Sequence, residues 1–373
     1  MKPAHQIGLF LVLLSIIAST NLCAQRQETI TVRWQRHANQ PQSLTISPGA
    51  SFFGGVDKDG TVRFYDERGK LLWGKQVGGA TNVLIASNGQ SLLVYSRLNP
   101  INRTVRFFRR DGRQLWEHEV EGSVWAGAVT PDGQYAAVTT GAKYIYRYLP
   151  HPTSPKFKRW RLPGIGHCLT FTPDSKCLVV GTWQASTITC YDLEGTQKWT
   201  LAQKSDRQYE LQNSGDGKRI LGIRPSTQHT PLAEICLWDS AGQGIWRRNL
   251  KGFDVAARIS PQSKYVAVSY ATILTHKNKD VIERKVAVYD AKGNLSWEKG
   301  GLFFGPRLVA LSPTGDSVIV SDGARSLYNI DRSGRILSKR TFEGEIKMAV
   351  SSEDGRRILL YCADGWLYLL EVA

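Results

Sequence analysis

Tyr289-Asp290-Ala291-Lys292-Gly293-Asn294-Leu295-Ser296-Trp297 states a phrase that returns along the chain: an aromatic residue, Asp, two residues, Gly, three residues, Trp. It stands again as Tyr65-Asp66-Glu67-Arg68-Gly69 before Trp73, as Tyr191-Asp192-Leu193-Glu194-Gly195 before Trp199, and as Trp238-Asp239-Ser240-Ala241-Gly242 before Trp246. Degenerate copies run from Arg109 to Trp116, with Arg in place of Asp, and from Asp331 to Ser338, with Ser in place of Trp. Self-similarity of this kind marks a chain built from one repeated unit.

A second phrase alternates with the first, an apolar run closed by a Ser/Thr-Pro-Asp-Gly-like turn. Its eight copies begin at Ser47, Ser87, Thr130, Thr172, Ser214, Ser260, Ser312 and Ser352. Pro presets φ in a tight turn, Asp or Asn bonds back to its own backbone, and Gly takes the positive φ that other residues resist. Both phrases therefore read as hairpin corners. The runs between them, such as Thr61-Val62-Arg63-Phe64-Tyr65 and Lys285-Val286-Ala287-Val288-Tyr289, carry the period-2 alternation of strands. Each unit reads as four antiparallel strands, here A to D. A four-strand unit every roughly 40 to 50 residues is the signature of a β-propeller. The expectation is an all-β chain forming a single eight-bladed propeller with four-stranded antiparallel blades.

The termini support a closed ring. The last unit runs Ile346 to Val350, Arg356 to Tyr361 and Gly365 to Val372, and has no strand D after it. Thr29-Ile30-Thr31-Val32-Arg33-Trp34-Gln35 supplies the missing piece at the other end, with Trp34 where Trp73 stands in the next copy. An N-terminal strand that completes the last blade would leave no sheet edge open.

On these residues the chain resembles the pyrroloquinoline-quinone-like propellers, whose blades carry a Gly and a following Trp that docks on the neighbouring blade; it also has features of WD-repeat-like families. The resemblance spans essentially all of residues 25–373. It implies that Trp34, Trp73, Trp116, Trp160, Trp199, Trp246 and Trp297 are structural docking residues. Quinone-dependent dehydrogenases that share such repeats carry adjacent cysteines and carboxylate and amide ligands for calcium. This chain has neither adjacent cysteines nor a Cys-x-x-Cys-His motif, and the expectation is a protein without a cofactor, metal or catalytic residues.

The N-terminus has Lys2, an apolar run from Ile7 to Ala18, and then Leu22-Cys23-Ala24-Gln25, the layout of a secretory signal peptide over residues 1–24. The run is shorter than the roughly 20 residues a membrane-spanning helix needs. An exported, periplasmic or extracellular protein is expected, with lipid attachment at Cys23 the less favoured reading because Thr20-Asn21-Leu22 is a poor lipobox. Five cysteines remain after such cleavage, so they cannot all pair within the chain, and a disulfide-dependent fold is not expected. The formal charge of +16, from 48 Lys and Arg against 32 Asp and Glu, points to anionic partners: acidic proteins, anionic polysaccharide or lipid head groups. Nucleic acid is the less natural partner outside the cytoplasm.

Histidines 37, 118, 151, 167, 229 and 276 are scattered without metal-ligand spacing. Asp66 and Asp290 repeat at one corner, which suits backbone capping rather than catalysis. The basic run Lys156-Phe157-Lys158-Arg159-Trp160-Arg161 reads as a strand D with solvated cations. Loop length is more informative. In a propeller the A-to-B and C-to-D turns share one face, and the B-to-C and D-to-A connections share the other. Long B-to-C connections run Ser96 to Arg103, Arg224 to Glu234 and Ala271 to Glu283. Function on scaffolded folds concentrates in such loops, so Arg97, Arg103, Arg224 and Lys277 are the candidate partner-binding residues, expected to be exposed. The favoured function is a non-enzymatic protein-interaction scaffold of a bacterial envelope, similar in fold to the eight-bladed propeller lipoproteins that assist outer-membrane protein assembly. The alternatives are a quinone-dependent dehydrogenase or lyase using the central channel, and a binder of anionic polysaccharide or lipid head groups.

Overall fold

The computed structural model describes residues 29–372 apart from 87, 150–153, 203–209, 227–231, 277–278, 302–306 and 313; the expected signal peptide and Cys23 lie outside these residues. Among the described residues, 32 strands form eight four-stranded antiparallel sheets. Blades 1 to 7 cover residues 41–76, 82–119, 124–161, 165–202, 210–251, 253–300 and 307–341 in unbroken A-B-C-D order. Blade 8 takes strands A to C from residues 346–372 and strand D from Ile30–His37, in the order expected from the sequence. The closing strand pairs from Ile30 opposite Val372 to His37 opposite Trp366. Strand A of each blade lies against strand A of the next, and blade 8 against blade 1, so the innermost strands ring a central channel.

The apolar interior is a set of layers between neighbouring blades. Phe52, Val62, Phe64 and Trp73 of blade 1 pack on Val83, Leu92, Val94 and Phe108 of blade 2. Leu359, Leu367 and Leu369 of blade 8 pack on Phe53 and Tyr65 of blade 1, with Trp34 against them. Strands B and C are covered on both faces by adjacent blades, so Ser91–Tyr95 and Ala136–Thr140 are buried at every position. Strands D face solvent along the outer rim and bury little beyond the tryptophan, as in Leu71–Gln76.

The repeated polar residues act on the backbone. At the A-to-B turns the Ser or Thr hydroxyl accepts the amide five residues on: Phe52 on Ser47, Tyr135 on Thr130, Arg219 on Ser214 and Arg357 on Ser352, each at 2.9 to 3.0 Å. At the C-to-D turns one Asp oxygen takes two amides, as Asp290 does from Lys292 at 2.9 Å and Asn294 at 2.8 Å. Replacing Asp290 with Ala strands two amides at a corner open to water, and should cost about 1 kcal/mol of unfolding free energy. Urea denaturation of Asp290→Ala against the parent chain checks that figure.

The glycine of this turn has a second duty. Gly69 sits at φ +73°, and a Cβ there would meet the Trp34 ring at 2.6 Å. Gly112, Gly195, Gly242 and Gly293 face Trp73, Trp160, Trp199 and Trp246 in the same way. Each tryptophan therefore seats on the turn of the following blade. The indole N–H of Trp73 donates to the Arg110 carbonyl at 2.9 Å, and Trp34 and Trp199 donate to Glu67 and Ser240 at 3.2 Å. In blade 4 the equivalent carbonyl, Leu193, accepts Arg147 Nε at 3.0 Å instead, and the Trp160 indole N–H has no partner among the described residues. Trp116 meets no glycine turn and stacks on Tyr148 with ring centres 4.9 Å apart. Trp297 lies farthest from its glycine, with a Cβ on Gly334 3.7 Å from the ring.

Candidate docking face and channel vestibule

The long connections between strands B and C lie on one face of the ring, and they are built in different ways. In blade 2 the connection 96–103 folds inward onto blade 3. The Leu98 amide donates to the Val124 carbonyl at 2.7 Å, and Arg97 Nε to that of Trp125 at 3.0 Å. Asn99 Oδ1 accepts the amides of Ile101 and Asn102 at 2.9 Å, which fixes the turn and sends Ile101 outward at 91% exposure. Arg97 is exposed, with its Nε held by that carbonyl.

Blade 6 departs from the expected loop. Ala271 to Glu283 is a continuation of the sheet, because strands Tyr265–His276 and Lys279–Asp290 stay in register from Tyr265 opposite Asp290 to His276 opposite Lys279. Thr272, Ile273, Val281 and Ile282 are β-branched, the residue type that suits a pleated surface. The result is an arm beyond the blade. Ile273 faces Ile282 on one side and Leu274 faces Val281 on the other, since cross-strand partners share a face and neighbours alternate. These four side chains are 48 to 60% exposed. Among the described residues, Leu98, Ile101 and these four are half of the large apolar side chains left exposed, and all six lie on B-to-C connections. Blades 2 and 6 are four places apart in a ring of eight, so the two apolar features stand half a turn from each other across the channel.

The other candidate cations fall differently. Arg103 is half-exposed and paired with Glu119 at 2.5 Å. Arg224 corrects the expectation of exposure: its side chain is only 14% exposed and is paired with Glu234, whose other oxygen takes Arg247 at 2.8 Å. Glu234 is itself buried, and two cations around it keep its charge compensated. Lys277 lies outside the described residues. The face therefore brings Arg97 and Arg103 to the surface of one loop and turns Arg224 into a structural ion pair. In the basic run of blade 3, Lys158 and Arg159 pair with Glu194 and Glu121.

Between the innermost strands of blades 6, 7 and 8 the channel widens into a vestibule of about 720 Å³ that opens on this same face. Arg258, Arg284, Arg307 and Lys347 line it, against one carboxylate, Asp254, and an apolar wall that includes Leu308, Val309 and Met348. Arg258 comes from the end of Phe253–Ile259 and is half-buried; desolvation pushes its pKa down and the Glu210 charge opposes that. Its Nη1 donates to the Ala257 carbonyl at 2.9 Å. Among the described residues neither Arg258, Arg284 nor Arg307 has a carboxylate within ion-pair distance, whereas Lys347 has Glu345 at 2.8 Å. Lys285, next to the vestibule, is held by Glu283 and Glu298 at 3.1 Å. Arg258 also borders a smaller cavity of about 220 Å³ toward the opposite face, with Gln212, Asn213 and Glu353. No group of three or more His, Cys, Asp or Glu able to hold a metal occurs among the described residues. The five cysteines there are free thiols, and burial pushes those of Cys168, Cys190, Cys236 and Cys362 up to about 12. No helix among the described residues is long and apolar enough to cross a membrane.

No protein-family model matches the chain. No curated protein matches it either. Solved structures do. The Dos1 propeller is similar with a TM-score of 0.70 at 11% identity, over 92% of this chain and 95% of that one. BamB from Moraxella catarrhalis is similar with a TM-score of 0.66 at 16% identity, over 92% and 100%. The C-terminal WD40 domain of Sif2 gives 0.66 at 12% identity, over 93% and 99%. At these identities the likeness shows the fold, a β-propeller.

Proposed function

We propose that this chain is an exported, non-enzymatic scaffold of a bacterial envelope that docks protein partners on its long-connection face. The carrying observation is that two exposed apolar features stand on one face at opposite sides of the channel, Leu98 with Ile101 beside Arg97 and Arg103, and the arm of blade 6. Monomeric soluble proteins seldom leave apolar side chains clustered without a partner for them. The net charge of +16 favours a partner with an acidic rim around an apolar centre. Export rests on the layout of residues 1–24, and the envelope setting on the likeness in fold to the outer-membrane-assembly propellers. We also assign the repeats to the pyrroloquinoline-quinone-like type, on the Gly and docking Trp pattern that the blades repeat.

A photo-crosslinking amino acid at Ile101 or at Ile273 should capture the same protein in intact envelopes, and one at Leu71 on the outer rim should not. Ile273→Ser with Ile282→Ser should cut the Ile101 crosslink at least about fivefold, as expected when a central apolar contact of an interface is removed. Equal capture from Leu71, or a crosslink from Ile101 untouched by the arm substitutions, would contradict the docking face. Anionic polysaccharide or lipid head groups are a second reading, favoured by the charge alone; a partner held that way would be released steeply with salt.

A further inference from the structure

We propose that the vestibule between blades 6, 7 and 8 is a binding site for a small amphipathic organic anion, with its carboxylate or phosphate on Arg258 and its apolar body on the wall of Leu308, Val309 and Met348. The cavity, about 720 Å³, is of the size that small-molecule sites have. Its charge is unbalanced: with Lys347 held by Glu345, three arginines line it against Asp254. On the neighbouring strands of blades 5 and 6, Arg224 and Arg247 are matched by Glu234, and Lys285 by Glu283 and Glu298. Arg258 is not matched in this way. It is half-buried where the vestibule meets the smaller cavity toward the opposite face, and its guanidinium donates to a neighbouring backbone carbonyl. A half-buried cation with no carboxylate in ion-pair distance is under-compensated, and an anion entering past Arg307 at the exposed mouth would supply the missing charge. Arg284 and Arg307 at the mouth, also without carboxylate partners, add an attractive field along the entry path. The apolar wall separates this site from one for a bare inorganic ion, which would gain nothing from Leu308, Val309 or Met348. The inference does not rest on the scaffold reading, since the docking arm and the vestibule use different side chains.

The probe is 8-anilinonaphthalene-1-sulfonate, followed by fluorescence on the folded mature chain, with N-phenyl-1-naphthylamine as its uncharged analogue. One saturable site per chain is expected, displaced by phenyl phosphate and by benzoate but not by benzyl alcohol. Arg258→Met should weaken the sulfonate about tenfold or more, the usual consequence of losing a charge-assisted hydrogen bond, and leave the uncharged analogue within about twofold. Arg307→Gln, at the exposed mouth, should weaken the sulfonate about threefold without altering thermal unfolding. Lys75→Met, on the outer rim, serves as the reference and should leave affinity unchanged. Equal affinity of Arg258→Met and parent for the sulfonate would overturn the proposal. So would equal losses for the charged and uncharged probes, or displacement by benzyl alcohol as readily as by benzoate. If Arg258→Met fails to fold, Arg307→Gln with the two probes decides by the same criteria.

Discussion

A chain beginning after His37 is expected to lose about 10 °C or more in unfolding temperature and to associate through its open edge. Ile30–His37 supplies the fourth strand of blade 8, and its loss leaves the backbone edge of Trp366–Val372 without a neighbour. Ile30 is buried among Val309, Ile319 and Leu370, and Trp34 packs on Phe53 with ring centres 5.7 Å apart. Removing those contacts should cost about 5 kcal/mol or more, a large fraction of the about 5 to 15 kcal/mol that holds a domain folded. For a domain of this size that corresponds to about 2 °C per kcal/mol. An exposed, long, apolar edge also templates pairing with a second chain. Differential scanning calorimetry and size-exclusion chromatography check both parts. A synthetic peptide of residues 29–38 added in trans should restore the monomer.

The tryptophan seats predict the second large effect. Trp73 is buried between Phe64 and Phe108, with ring centres 5.7 and 5.8 Å away, and its indole N–H is bonded to Arg110. Trp73→Ala should therefore cost about 3 to 5 kcal/mol, and Trp73→Phe about 1 to 2, the latter chiefly for the lost hydrogen bond. At Trp297 the indole N–H has no partner among the described residues and the glycine seat is looser. Trp297→Phe should then cost less than about 1 kcal/mol, since no hydrogen bond is lost and the ring volume is largely kept. Guanidinium denaturation of the three variants separates the two seats. Equal costs for the two Phe variants would mean that the indole hydrogen bond contributes nothing to the docking.

The ring was legible in the sequence because the repeated residues act locally. Ser47, Thr130, Asp66 and Asp290 bond their own turns, so their spacing survives in the sequence whatever the blades pack against. Trp34 announced the closing strand because its partner Gly69 recurs in register with Gly112 and Gly195. The functional face was legible only in outline. Ala271 to Glu283 read as a connection because blade strands are short, although Thr272, Ile273, Val281 and Ile282 already carried a strand signal on both sides of a tip. Arg224 read as exposed because sequence alone does not show that Glu234, opposite it on the next strand, is buried between Arg224 and Arg247. The vestibule escaped sequence reading altogether. Arg258, Arg307 and Lys347 stand singly on three innermost strands roughly 40 to 50 residues apart, and only ring closure brings them around one space.

That closure also places the arm of blade 6 opposite the loop of blade 2, so the functional proposals share it as their foundation. Hydrogen exchange of the native chain, read by mass spectrometry on the peptide covering Trp366–Val372, examines it without altering the protein. In a closed ring this strand is bonded on both sides, to Arg357–Cys362 and to Ile30–His37, and its amides should be as protected as those of Arg357–Cys362. Exchange of alternate amides in Trp366–Val372 at the rate of an open edge, with Arg357–Cys362 still protected, would show that Ile30–His37 does not close the ring.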